Sequence, residues 1–105
     1  MKEITKDSIL AYLKTIKPYF NKKGIVDIAL FGSYSTKSES IYSDIDVAVK
    51  KDKDFLQKFN PYDYFKILNE LKDMLRKKFH KNVDIFDLDS SSYFLQDIKK
   101  ELTYV

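Results

Sequence analysis

Two carboxylates, Asp44 and Asp46, stand one residue apart at the start of the apolar run Ile45-Asp46-Val47-Ala48-Val49. In a β-strand, residues i and i+2 face the same side, so these side chains would project together. Like charges held that close repel, and one stays protonated unless a cation lies between them. A divalent ion resolves the conflict, and ligation by oxygen alone favours magnesium or manganese over zinc. Upstream, Gly32-Ser33 closes another apolar run, Ile25-Val26-Asp27-Ile28-Ala29-Leu30-Phe31. A Gly-Ser pair at a strand-to-helix turn offers backbone N–H groups and a hydroxyl, which suit a phosphate. Either feature alone is common in turns and caps. In combination they provide the two halves that a triphosphate and its metal ion need.

The flanking sequence must supply the elements that hold this pair of features. Ile9, Leu10, Leu13, Ile16 and Phe20 recur at helical spacing, predicting a helix from Thr5 or Asp7 to about Phe20, with Pro18 distorting its last turn. Asn21-Lys22-Lys23-Gly24 reads as a turn into the first strand, which places Val26, Ile28 and Leu30 on one face and Asp27, Ala29 and Phe31 on the other. A short helical turn after Gly32 and a polar loop lead to a second strand from about Ile45 to Lys50. Its residues Ile45, Val47 and Val49 share one face, opposite Asp46, Ala48 and Lys50. Asn60-Pro61 is a strong helix start, with Asn as cap and Pro in the first turn. The helix it opens runs to about Lys78 on a stripe of Phe65, Leu68, Leu71, Met74 and Leu75. A third strand follows over Asn82–Leu88. Ser90 to Ser92 can then cap a last helix, led by Tyr93, Phe94 and Leu95, that reaches about Leu102. The order α-β-(short α)-β-α-β-α describes an α/β fold in one domain over residues 1–105, with a sheet of three or more strands flanked by helices.

Composition narrows the chemistry. The chain has no cysteine, which removes disulfides and thiolate metal sites and fits a reducing cytoplasm. Its one histidine, His80, reads as a partner for a helix C-terminus rather than a catalytic base. The N-terminus shows no secretory pattern, and no apolar run is long enough to span a membrane. The net charge of +3 is mild and the lysines are scattered, so a nucleic-acid partner is not expected. Most of the eight Phe and eight Tyr, including the cluster Tyr62, Tyr64 and Phe65, read as core.

Gly32-Ser33, the spacer after it and Asp44-Ile45-Asp46 between apolar residues resemble the signature of the DNA polymerase β-type nucleotidyltransferase superfamily, and within it the small minimal nucleotidyltransferases. Many of those proteins read Gly-Ser-x-Ala-Arg-Gly, whereas here Thr36 and Lys37 replace the Arg and the second Gly. Lys37 is therefore the candidate cation for phosphate in this run. The resemblance implies a mixed sheet and a third acidic residue on a neighbouring strand, where Asp84 matches. Asp87, of opposite strand parity to Asp84, and Asp89, at a turn, are the competitors. It further implies two magnesium ions held by Asp44, Asp46 and Asp84, and a nucleotide cradled by Gly32, Ser33 and Lys37. The implied reaction is transfer of a nucleoside monophosphate, AMP from ATP, with loss of pyrophosphate. The implied acceptor is a tyrosine of a helical HEPN-type toxin, which would make this chain a cytoplasmic antitoxin in a hetero-oligomer. The rival reading is an antitoxin that binds nucleotide and neutralises its partner by contact without catalysis. Modification of a small-molecule hydroxyl is weaker, because no segment reads as an acceptor pocket.

Overall fold

The computed structural model describes residues 4–90 and 93–105. Helix α1, Lys6–Asn21, opens on a reciprocal cap: Thr5 Oγ1 accepts from Ser8 N–H at 3.1 Å, and Ser8 Oγ accepts from Thr5 N–H at 2.9 Å. It continues through Pro18, which is exposed, so the helical bond that proline cannot donate is lost on the solvent side. Ile9, Leu13, Ile16 and Phe20 form its buried stripe, as their spacing predicts.

Strand β1, Ile25–Phe31, contains a bulge between Ile25 and Asp27. The extra residue reverses the alternation at that end. Ile25 is buried while Val26 is 40% exposed, so Val26 does not share the face of Ile28 and Leu30 as the regular pattern predicts. Strand β1 leads into the short helix α2, Gly32–Thr36, and a loop returns the chain to β2, Ile45–Lys51. A second short helix, α3, Phe55–Lys58, was not legible in the sequence. It buries Phe55 against the rings of Phe59 and Tyr64.

Helix α4, Pro61–Phe79, is capped by Asn60 with Pro61 in its first turn, as expected. Its buried stripe is Ile67, Leu71, Leu75 and Phe79, a strict i, i+4 series. Leu68 and Met74 flank that stripe, but Phe65 is 64% exposed and Tyr62 78% exposed, so neither is core. At 100° per residue, Phe65 points nearly opposite to Ile67. Strand β3 spans Val83–Asp87. The last helix, α5, covers only Phe94–Lys99 and stops short of Leu102. The chain then becomes extended as β4, Thr103–Tyr104, which pairs with the outer edge of β1 and covers it. Of the proposed Ser90–Ser92 cap, Ser91 and Ser92 lie outside the described residues.

The four strands form one mixed sheet in the order β3-β2-β1-β4. Strand β1 runs antiparallel to β2 and β4, and β2 runs parallel to β3. Helices α1 and α4 bury one face over Ile28, Leu30, Ile45, Val47 and Val49. The opposite face carries a smaller cluster in which Phe31 and Ala48 meet Ile98 of α5. Asp46 lies on this second face, two residues from Ala48 and beside Phe31. No described helix is long and apolar enough to cross a membrane.

Candidate active site

The parallel pairing of β2 and β3 sets Asp46 directly opposite Asp84. Adjacent strands lie about 4.8 Å apart, so the two carboxylates occupy neighbouring positions on one face. On the other side of β2, Asp46 is the register partner of Phe31, the last residue of β1. Gly32 follows with φ of +75°, a left-handed backbone that glycine adopts without strain. A Cβ at Gly32 would overlap the Asp46 carboxylate. Backbone and acid are therefore packed against each other, and the sequence separation of the two motifs disappears in the fold. Asp44 lies just before β2, an inner strand, and is exposed.

A fourth carboxylate, Glu101, joins this group and was missed in the sequence. Its Oε1 accepts the Gly32 N–H at 3.2 Å. The Ser35 hydroxyl holds the Glu101 backbone by donating to its carbonyl at 2.5 Å, and also contacts Thr103 Oγ1 at 2.8 Å. No local signal marks Glu101, because its placement depends on β4 closing onto β1. A cavity of about 560 Å³ opens here, and its polar lining is acidic: Asp46, Asp84, Asp97 and Glu101 beside Gly32. Burial, followed by the charges of Asp84, Asp44 and Glu101, pushes the Asp46 carboxyl up from 3.8 to about 6.

This donor set suits a hard divalent cation: it consists of carboxylates, it is short of positive charge, and one member resists ionising. As placed, no three acidic, histidine or cysteine side chains among the described residues enclose a metal-sized space. Ser33 occupies the second position of α2, half-buried. Lys37 is exposed at the far end of α2, with φ of +60°, and lines neither the cavity beside Asp46 nor those beside Asp44.

The competing acids serve structure. Asp87 accepts from the Tyr64 hydroxyl at 2.7 Å and from Lys51 Nζ at 3.0 Å, and Lys51 also reaches Asp89 at 3.4 Å. Partial burial would raise Asp87, but the hydrogen bond from Tyr64, together with the Asp89 N–H and Lys51, holds its carboxyl below the usual range. His80 is the C-cap of α4, in left-handed conformation with φ of +55°, and donates its N–H to the Arg76 carbonyl at 2.8 Å.

Residues 14–104 match the family described as Polymerase beta, Nucleotidyltransferase. The chain belongs to that family. Its fold is also that of a solved structure assigned as a minimal nucleotidyltransferase, with a TM-score of 0.69, 17% identity and coverage of 98% of both chains. A crystal structure of a toxin-antitoxin with AMP-PNP is similar at a TM-score of 0.60 and 25% identity, covering 96% of this chain and 72% of the other. A mutant of the MntA-HpeT toxin-antitoxin gives 0.59 and 25%, over 98% of this nucleotidyltransferase chain and 72% of its own. No curated protein matches.

Proposed function

We propose that this nucleotidyltransferase moves AMP from ATP to a hydroxyl on a separate protein, a tyrosine of a helical HEPN-type toxin, and acts as that toxin's antitoxin. The observation that carries the reading is the pairing of Asp46 with Asp84 on adjoining strands, against the backbone of Gly32. The toxin-antitoxin neighbours, one of them with AMP-PNP, support the donor and the class of partner. Leu56, Tyr62 and Phe65, exposed on α3 and the first turns of α4, are apolar side chains that a protein partner can cover.

In this reading Gly32 lets the triphosphate approach the backbone closely, and the Ser33 hydroxyl and N–H hold its β- and γ-phosphates. Asp44, Asp46 and Asp84 would hold magnesium, which when bound neutralises phosphate charge and makes the acceptor hydroxyl more acidic. Asp84 takes the proton as the acceptor oxygen attacks the α-phosphorus. The bond from that phosphorus to the bridging oxygen breaks in line, and pyrophosphate leaves with the electron pair. The chain contributes alignment and charge placement rather than a covalent intermediate.

The test incubates the protein with the helical product of a neighbouring gene, ATP and Mg²⁺, and reads intact mass. An AMP-sized addition to the partner is expected, abolished by Asp44→Asn or Asp46→Asn in protein that still folds. Labelling at the wild-type rate by either variant overturns the assignment. Neutralisation by contact alone is the second reading, favoured by the lack of a preformed three-ligand enclosure among the described residues. An Asp44→Asn variant that still silences the toxin would decide for it.

A further inference from the structure

Phosphate charge must be balanced by cations, and the cavity beside Gly32 supplies none from its own lining. After Gly-Ser, Lys37 lines neither this cavity nor the one that holds Asp44 and Asp84. Positive charge lies on the opposite flank. A cavity of about 250 Å³ brings Lys72 and Arg76 together with Asp44, Asp84 and Asn82. It adjoins a wider space of about 800 Å³, which shares Asp44, Arg76 and Asn82 and adds Asp73 as well as Lys77, His80 and Lys81. Lys72 and Arg76 are four residues apart on α4 and so present their side chains on one face. Among the described residues, neither makes an ion pair or a side-chain hydrogen bond. Lys72 is half-buried despite this. Lys81 is committed differently: it donates to the carbonyls of Ile41 and Ser43 at 3.0 and 2.9 Å, fastening the loop that delivers Asp44.

We infer that Lys72 and Arg76 form a subsite for the phosphate of the nucleoside monophosphate being transferred. The strand order supports this location. Strand β1 brings Gly32-Ser33 to one side of Asp46, while β3 and α4 bring Asp84, Lys72 and Arg76 to the other. With the pyrophosphate end toward Gly32-Ser33, the α-phosphate lies by Asp44 and Asp84, the two acids that also line the cavity of Lys72 and Arg76. Two cations there offset the charge that the carboxylates repel. A guanidinium and an ammonium can each donate a charge-assisted hydrogen bond to a phosphate oxygen. The inference rests on the nucleotide-binding reading above and adds the residues that grip the reacting group.

Calorimetric titration with ATP, AMP and inorganic pyrophosphate in Mg²⁺ tests it. Lys72→Ala and Arg76→Ala are each expected to weaken ATP and AMP by about tenfold, the scale of one charge-assisted hydrogen bond, and pyrophosphate by far less. Lys72→Arg should restore most of the loss. Lys58→Ala, which removes the same charge from α3, should leave all three ligands unchanged. Circular dichroism melts keep folding separate from binding. Wild-type affinity for AMP in the double variant overturns the subsite. So does an equal loss for pyrophosphate, which would move the pair to the leaving group, or an equal loss in Lys58→Ala, which would reduce the effect to net charge. Wild-type protein that binds no nucleotide overturns the nucleotide-binding reading and this subsite with it.

Discussion

Asp46 is where electrostatics and packing meet. Its carboxyl titrates at about 6 in the fold against 3.8 when unperturbed, so between those values the folded chain binds more protons than the unfolded one. Stability without metal therefore falls as pH rises from about 4 to about 6. Because the side chain is only half-buried, exposure and salt reduce the effect to on the order of 1 kcal/mol. In EDTA at pH 7, Asp46→Asn is expected to melt above wild type and to show a flat profile across that window; a variant that melts lower contradicts the assignment. Gly32→Ala should behave in the opposite way. The new methyl overlaps the Asp46 carboxylate on a left-handed backbone, so a loss of about 1–3 kcal/mol is expected in thermal melts, together with loss of transfer. Asp44, Asp46, Gly32 and Ser33 were legible because their chemistry is local. Their spacing implies a shared face and a turn before any partner is known. Glu101 was not legible, since only the closure of β4 on β1 brings it to Gly32.

The elements that carry these residues followed their periodicity where a single face is buried. Helix α1 and the Asn60 start of α4 came out as their caps and stripes imply. The failures share a cause: tertiary context decides between patterns that local sequence leaves balanced. The bulge in β1 exchanges Ile25 for Val26 in the core, and α4 presents Ile67 rather than Phe65 to the sheet. Thr103 and Tyr104 take an edge that needed covering instead of extending α5. The link between α4 and the sheet has its own polar anchor in Tyr64, Asp87 and Lys51. The Tyr64 hydroxyl is held well above its ordinary pKa by burial and by its bond to Asp87. Tyr64→Phe removes one hydrogen bond from a partly buried carboxylate that keeps Lys51. A cost of about 1 kcal/mol is expected in urea unfolding, with transfer unchanged. A loss of transfer as large as that of Asp46→Asn would place Asp87 in the chemistry after all.

Across the whole molecule, the sheet separates two tasks. One face is apolar and closed by α1 and α4, which hold the strands in register. The other carries the acids under α5, with a thinner apolar cluster beneath them. The two tasks share the backbone of β2, and they meet again beside β3, where α4 contributes Tyr64 to the Asp87 anchor and Lys72 and Arg76 to the cavity at Asp84. If the acids hold Mg²⁺ as proposed, saturating metal should raise the melting temperature of the wild-type chain by on the order of 5 °C, a shift absent in Asp46→Asn and reversed by EDTA. An unchanged melting point in wild type would argue against the metal assignment. The amide of Gly32, finally, already has a tenant. With its main chain stitched to Ser35 and leading into β4, Glu101 can vacate that spot only by swinging its side chain away. An anion arriving there takes part in an exchange, and how fast it seats is governed by the departure of the carboxylate it replaces.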